Sequence, residues 1–262
     1  MGRIKLTAKS HLLGNTLTVF LVFTVFVSAV VLSGNFSFMA SYLFRIPLLK
    51  EFASTDFAYR MLKITLSVAG IVLSALTVPD LTLGVERWFM LKAKGEVAQV
   101  KDIFYFFRFS HFLRAQAAFW YSFFIRSGVF VFFQFPALCM SGIIYNAVKY
   151  GEIAYAILVS LLLTDVLLFL TGMVFYFVYS ANWLIYSFIV VSDDTVSPDK
   201  AYALSAEFAE KSVGRLCLFR LSFVPWWLLS VFVFPLFYVW GYYKQSLAVL
   251  AFEQGTAEND EF

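Results

Sequence analysis

The sequence is poor in the residues that build disulfides, metal sites and water-soluble surfaces. Cysteine occurs twice, at Cys139 and Cys217, and histidine twice, at His11 and His111. These four residues do not cluster at the spacing of zinc ligands, so we predict no metal and no cofactor. Charged residues make up 14% of the 262 residues, and the net charge is +3. So few charges exclude the ordinary soluble class and give no indication of nucleic-acid binding.

Long apolar runs take the place of these missing residues. Hydrophobic residues make up 61% of the chain and aromatic residues 20%, and the mean hydropathy is +0.79. An apolar run of about 20 residues is long enough to cross the hydrocarbon core of a bilayer as a helix. The runs therefore predict an all-α, polytopic integral membrane helix bundle. We treat residues 1–262 as one domain that ends in a short acidic tail at 253–262.

Four of the predicted spans lie ahead of the C-terminal region. They run from about Leu13 to Leu32, from about Met61 to Val78, from about Ala117 to Met140, and onward from Ile153. The fourth apolar run continues to Val191, about twice the length that a bilayer core requires. It has no polar turn that could divide it into two spans. We therefore predict one long helix that projects from the membrane or bends near Ser180 to Asn182.

The C-terminal region from Gly214 to Glu253 allows two arrangements. A helical hairpin that turns near Val233 to Pro235 gives six transmembrane helices and an acidic tail on the inner side. A single span from about Leu221 to Gly241 gives five. We predict six, with five as the alternative.

Amphipathic segments between the spans are expected at the cytoplasmic membrane surface. On Leu81 to Lys94, Glu86 and Arg87 share a face toward water, and on Val97 to Arg114 a basic stripe faces anionic lipid. After the acidic exit at Asp193 and Asp194, the pair Ser197-Pro198 predicts the start of another surface helix. Asp193 and Asp194 could resemble a metal-binding pair, but a solvated exit ahead of a helix N-terminus explains them more simply.

The distribution of Lys and Arg predicts the orientation of the chain. Most of the 20 basic residues fall in the segments that these spans place on one side, and the opposite side receives Arg45, Lys50, Arg60, Lys63 and Lys149. Because basic residues accumulate on the cytoplasmic side, the N-terminus is predicted to be cytoplasmic, in a multi-pass protein of the plasma membrane.

Two charged residues lie deep inside predicted spans and are the candidate site residues. Counted from the predicted span ends at about 1.5 Å per residue, Arg126 and Asp165 both reach mid-bilayer. An isolated charge at that depth costs about 2.5–3.5 kcal/mol on insertion scales. We therefore predict that Arg126 and Asp165 form a pair. Such a pair either orients two adjacent helices or belongs to a transport path or proton relay.

Short motifs along the chain suggest a family. A surface helix is followed by basic residues and a Leu-Ser-Phe-x-x-Trp run that enters the membrane, formed by Ser205, Arg215, Leu221, Ser222, Phe223 and Trp226. Two upstream groups accompany it: Gly84, Phe89, Gly95, Glu96, Asp102 and Phe104, and Lys5, Ala8, Lys9, Leu13, Gly14 and Asn15. In these positions the sequence resembles the bacterial membrane-protein family catalogued as domain of unknown function 975, related in style to the membrane domain of glycerophosphodiester phosphodiesterases.

This resemblance covers most of the chain and departs from the family pattern at Lys211, Pro225 and Gly241. It implies a bacterial multi-pass architecture and no particular activity. The departures leave open the turn before the fifth span and the path of the last segment.

Three classes of function remain. The interfacial helices favour a non-catalytic membrane scaffold or accessory subunit, with membrane lipids and a second membrane protein as partners. The alternative is a transporter or lipid-handling protein that uses Arg126 and Asp165, although no inverted repeat is visible. An intramembrane enzyme has the least support, because the sequence contains no phosphate-binding loop and no Ser with a plausible His partner.

Overall fold

The computed structural model describes residues 2–34, 56–151, 154–230 and 233–259, and regular structure in these ranges is helical throughout. Within the described ranges we number nine α-helices: α1 (Gly2–Leu13), α2 (Thr16–Gly34), α3 (Asp56–Ala93), α4 (Phe109–Tyr150), α5 (Tyr155–Tyr179), α6 (Tyr186–Ser192), α7 (Pro198–Leu221), α8 (Val224–Leu229) and α9 (Val233–Asn259). Two 3-10 segments, Val100–Phe107 and Ser180–Trp183, connect α3 to α4 and α5 to α6. The predicted all-α class is confirmed. Arg45 and Lys50, which the sequence assigned to the side opposite the N-terminus, lie outside the described residues.

The described helices include fewer candidate spans than the sequence predicted. Three helical stretches are long and apolar enough to cross a membrane: Arg60–Ala93, Phe109–Tyr150 and Tyr155–Ser192. A fourth is obtained if α1 and the following Thr16–Leu32, bent by 89° from each other, count as one span. The predictions of six and of five spans are therefore too high for the described part of the chain.

The C-terminal region accounts for much of this difference. The chain does begin a new helix at Val233, where the predicted hairpin turns, but neither Val224–Leu229 nor Val233–Asn259 is among the helices long and apolar enough to cross a membrane. Leu221 to Leu229 covers about 14 Å, roughly half of a hydrocarbon core. The second half of α9 packs into the folded end of the molecule, where Lys244 forms an ion pair with the buried Glu86. Neither described helix of this region is therefore among the candidate spans.

Two predicted interruptions are absent. The helix α3 continues through Pro79, so the segment from Leu81 to Lys94 extends the second span as part of the same helix. The helix α4 continues through Pro136 and ends at Tyr150, although the third span was predicted to end at about Met140. Proline removes one backbone hydrogen bond from a helix. Both helices continue past their proline despite this loss. The longer α4 changes which residues of α4 and α5 lie side by side.

Two other predictions on element boundaries are confirmed. The long apolar run after Ile153 is interrupted by the 3-10 segment Ser180–Trp183, at the place where the sequence predicted a change of course. The surface helix begins at Pro198 with Ser197 as its cap residue, although the Ser197 side chain makes no capping hydrogen bond to the first turn. One face of that helix is buried through Ala201, Ser205 and Ala209.

The core lies at one end of the molecule. It combines α1, the start of α2, the second half of α3, the first 3-10 segment, the start of α4, α6, α7 and the second half of α9. Large aromatic side chains fill it, and Trp88, Phe89, Phe106, Tyr186, Phe188, Phe219 and Phe223 are fully buried. Tyr242 of α9 donates a hydrogen bond to the Lys5 carbonyl of α1 at 3.4 Å, so the first and last helices meet at this end.

Gly84 allows α3 to approach the first 3-10 segment closely. A Cβ at this position would lie 1.8 Å from the carbonyl oxygen of Ile103, far inside van der Waals contact. Ile103 itself is fully buried. Glycine is therefore required for the backbone contact that joins α3 to the Val100–Phe107 segment.

The remaining half of α4 and most of α5 form a hairpin that leaves the core. The two helices pack on each other, and their outer faces expose large apolar side chains such as Phe132, Leu163, Val166 and Leu167. Such surfaces are suited to hydrocarbon as a solvent. The hairpin is thus the part of the described chain that offers the most apolar surface.

Candidate functional site

Arg126 lies at the junction of α5 and α6. Its Nη2 donates to the carbonyl oxygen of Trp183 at 3.4 Å, and its guanidinium lies 5.9 Å from the Trp183 ring centroid. A second arginine, Arg220 of α7, donates to the carbonyl oxygen of Phe177 at 2.9 Å and to the Ser180 hydroxyl. Carbonyl groups near the end of a helix lack intrahelical donors, and cations stabilise that end through the helix dipole. The two arginines thus stabilise the bend after α5.

Asp165 lies on a different part of the hairpin. Its Oδ2 accepts a hydrogen bond from the Ser141 hydroxyl at 2.8 Å, which connects α5 to α4. Its Oδ1 accepts no hydrogen bond from any described residue. Side chains close to it along α5, Leu162 and Val166, are exposed and apolar.

The structure does not bring Arg126 and Asp165 together. Asp165 is level with Ser141 on α4, and Ser141 is about 22 Å along the helix axis from Arg126. The reason is the length of α4, which runs to Tyr150 and so shifts its pairing with α5 relative to the predicted spans. The prediction of equal depth ended the third span at about Met140, whereas α4 continues to Tyr150 and Asp165 lies beside Ser141.

A polar notch interrupts the apolar hairpin around Asp165. A pocket of about 210 Å³ is lined by Gln134, Ala137, Leu138, Ser141, Asp165, Val166 and Phe169. Gln134 is 3% exposed and donates to the Phe169 carbonyl at 3.5 Å, while its Oε1 has no described partner. We call these seven residues the hairpin notch. It therefore contains two hydrogen-bond acceptors, Asp165 Oδ1 and Gln134 Oε1, without donors among the described residues.

Close packing holds the two helices together beside this notch. A Cβ at Gly172 would lie 2.5 Å from the Phe133 carbonyl oxygen and 3.0 Å from the Gln134 side-chain nitrogen. Small residues permit such approach of helix backbones and are enriched at helix contacts in membranes. The lack of a side chain at Gly172 therefore allows α4 and α5 to pack closely around the Gln134 amide.

The ion pair of the core is formed by Glu86 and Lys244. Lys244 Nζ lies 2.6 Å from Glu86 Oε1, and the side chains are 22% and 6% exposed. The sequence placed Glu86 on a water-facing surface and left Lys244 unassigned, so both interpretations are corrected here. The helical neighbours of Glu86 gave a signal of burial, because Leu83, Phe89 and Met90 lie three or four residues from it and are apolar.

Arg114 anchors the loop that follows α6. Its guanidinium pairs with the Asp194 carboxylate and donates to the carbonyl oxygens of Val190, Asp193 and Val196. The planar fork of arginine suits this task, because several donors leave it in fixed directions. We call these contacts the Arg114 clamp.

Tyr105 completes the contacts of Asp194. Its hydroxyl donates to Asp194 Oδ2 at 2.9 Å, and the Arg87 guanidinium lies 3.7 Å from its ring centroid. Burial raises the pKa of Tyr105, and the hydrogen bond to the Asp194 carboxylate raises it further. The phenol therefore remains a donor to Asp194 over the physiological pH range.

The acidic exit is a structured turn. Asp193 accepts hydrogen bonds from the backbone N–H and the hydroxyl of Thr195, both at 2.7 Å, and these bonds lower the pKa of Asp193. The described residues contain no group of three or more His, Cys, Asp or Glu that could hold a metal ion. His111 stacks on Tyr105, with ring centroids 4.4 Å apart, and His11 Nδ1 lies 3.4 Å from Gln245 Nε2. These contacts assign structural roles to the residues that the sequence considered as ligands.

No family model matches this chain, and no curated protein or solved structure is similar enough to count as a match.

Proposed function

We propose that this chain is a multi-pass membrane protein with a cytoplasmic N-terminus that acts as a non-catalytic scaffold or accessory subunit. The observation that carries this proposal is the apolar α4–α5 hairpin, which leaves the folded core and presents its outer faces to its surroundings. In a bilayer such faces contact either lipid or another membrane protein. The proposed compartment is the plasma membrane, with lipids and a second membrane protein as partners.

The charged side chains of the core support a structural rather than a transporting role. Glu86 is paired with Lys244, Arg114 with Asp194, and Arg126 and Arg220 bind carbonyl groups at the bend after α5. Groups that move a solute or proton must change partners during the cycle. These groups instead join elements that are distant in the sequence.

Contacts between the motif residues support the proposed family membership. Lys5 donates to the Ser222 hydroxyl at 2.6 Å and lies 4.5 Å from the Phe223 ring centroid. Lys92 donates to the Asn15 side chain at 3.0 Å. The N-terminal lead and the Leu-Ser-Phe-x-x-Trp run, two separate parts of the resemblance, therefore meet in space. We propose that the chain belongs to the family catalogued as domain of unknown function 975.

The exposed surface of the segment before α4 supports an interfacial position. Phe104, Phe107 and Phe109 are exposed apolar residues, and Lys101 and Arg108 beside them are exposed cations. Aromatic side chains favour the acyl boundary and cations favour anionic headgroups. We propose that this segment lies in the cytoplasmic headgroup region.

Quantitative co-purification tests the scaffold proposal. Tagged full-length chain is extracted from membranes with a mild polymer, and co-purifying proteins are quantified against a tagged multi-pass protein of similar size. The proposal expects at least one membrane protein at near-stoichiometric amount. Recovery of the chain with lipid alone, together with solute-dependent uptake by reconstituted vesicles, would support the transporter alternative instead.

A further inference from the structure

The hairpin notch contains hydrogen-bond acceptors that have no donor among the described residues. Asp165 Oδ1 and Gln134 Oε1 both line it, and neither accepts a hydrogen bond from a described residue. Gln134 is 3% exposed, so water in the bulk phase does not reach most of its amide. A buried acceptor without a donor costs free energy that a ligand with a donor can recover.

The depth of the notch restricts what can supply that donor. Asp165 lies about 15 Å along the axis from the start of α5 at Tyr155, about half the thickness of a hydrocarbon core. Lipid headgroups lie outside this region, and acyl chains have no donors. A protein side chain on a neighbouring transmembrane helix can reach it, since exposed Leu138 and Val166 flank the opening.

The charge of the notch indicates the kind of side chain. Asp165 is its acidic member, and no described Lys or Arg lies within ion-pair distance of it. Arg126, the nearest cation along α4 toward the core, is about 22 Å from the level of Ser141. Charged groups inside a membrane are paired with opposite charges on adjacent helices. A Lys or Arg ammonium or guanidinium supplies both the positive charge and several donors.

We propose that the hairpin notch binds a transmembrane helix of a partner protein through a mid-membrane Lys or Arg on that helix. Asp165, which is partly exposed, is the charge partner, and the buried Gln134 lines the notch beside it. Ser141 holds the Asp165 carboxylate in place through its existing hydrogen bond. This inference rests on the proposed scaffold function and names the surface and the chemistry by which the scaffold holds its partner.

A defined probe tests the proposal with the full chain reconstituted in phosphatidylcholine vesicles. The probe is a labelled synthetic helix of about 20 Leu and Ala residues with one central Lys. The control helix carries Leu in place of the central Lys. Association of each helix is measured by energy transfer to the labelled protein. We expect the Lys helix to bind at least about tenfold more tightly than the Leu helix.

Two variants of the protein test whether Asp165 causes the preference for the Lys helix. Asp165→Asn keeps the size of the side chain and an acceptor for Ser141 but loses the charge, and it should remove the preference for Lys. Thr164→Val, next to Asp165 in the sequence, should leave it unchanged. Circular dichroism and size-exclusion profiles equal to those of the wild type establish that each variant is folded.

Equal binding of the two helices to the wild type would overturn the proposal, and so would a Lys preference that survives in Asp165→Asn. Self-association of the chain that is lost in Asp165→Asn, without a Lys preference, would also overturn it and identify a second copy as the occupant. None of these results alters the co-purification test, so the scaffold function and this site can fail separately.

Discussion

At the residue scale, buried polar side chains in the described core connect elements that are distant in the sequence. Lys244 and Glu86 join α9 to α3, and Arg114 joins α4 to the loop after α6. The most buried of these groups, such as Glu86, are costly to leave alone, because a buried charge or carbonyl that loses its contact is not rehydrated. Single substitutions of these residues should therefore lower the free energy of unfolding by more than the partial exposure of their side chains suggests.

Replacing Arg114 with Met should destabilise the protein by about 1–3 kcal/mol, because it removes the guanidinium donor of three carbonyl groups and leaves Asp194 with Tyr105 as its remaining partner. Arg114→Lys should be intermediate, since an ammonium keeps the charge without the fork. The free energy of unfolding is measured by SDS titration followed by tryptophan fluorescence. Arg108→Met is the control, because Arg108 is exposed and should change stability by about 0.5 kcal/mol or less. Equal effects at the two positions would contradict the Arg114 clamp.

The Glu86–Lys244 pair should show strong coupling in a double-mutant cycle. Glu86→Met alone should destabilise by about 3–5 kcal/mol because Lys244 is left buried and unpaired, and the double Met variant should recover a large part of this loss. Glu207 and Lys211 form an exposed pair at 2.8 Å and serve as the matched cycle, with an expected coupling of about 0.5 kcal/mol. Additive single effects at Glu86 and Lys244 would show that the pair does not act as a unit.

At the element scale, close contacts between backbones determine how the helices are joined. Gly84 permits α3 to touch the 3-10 segment before α4, and Gly172 permits α5 to touch α4 near Gln134. Both contacts lie between elements, so a side chain at either position must separate them.

Gly84→Ala should destabilise the protein by about 2–3 kcal/mol, because the new Cβ would overlap the Ile103 carbonyl and force α3 away from the segment. Gly128→Ala is the control in α4, where a Cβ would meet nothing within 4 Å. Since alanine favours a helix over glycine, Gly128→Ala should be neutral or stabilise by up to about 1 kcal/mol. The stabilities of the two variants are compared by thermal unfolding in detergent. An unchanged stability of Gly84→Ala would contradict the close contact with Ile103.

At the scale of the whole molecule, the folded core lies at one end and the apolar hairpin extends from it. The contacts of α1 with α9 put the first and last helices at the same end. The orientation proposed from Lys and Arg makes this the cytoplasmic end, so the turn between α4 and α5 should lie outside.

Labelling of single cysteines in a background without Cys139 and Cys217 tests this orientation. Asn146→Cys, near the end of α4, should react with a membrane-impermeant maleimide in intact cells. Lys94→Cys, after α3, should react only after the cells are opened; both positions are exposed in the structure. The reverse pattern would mean that the chain has the opposite orientation.

Local patterns in the sequence predicted much of the fold and little of the site. The apolar runs predicted the helical class, the bend at Ser180 to Asn182 and the helix start at Pro198. They did not predict that α3 passes through Pro79 or that α4 continues to Tyr150. A proline or glycine lowers helix propensity, but packing against a neighbouring helix overrides so small a preference. Because the sequence placed the end of α4 too early, it paired Arg126 with the wrong part of α5.

The sequence by itself determined that the chain is helical and that several helices are apolar enough for a membrane, because both properties follow from residues close together along the chain. Only the tertiary structure decided that Glu86 belongs with Lys244, that Arg126 stabilises the bend after α5, and that Asp165 lies beside Ser141 and Gln134. Such partnerships depend on the register between helices. Register is set by where each helix ends and by close contacts such as those at Gly84 and Gly172, which no local pattern specifies.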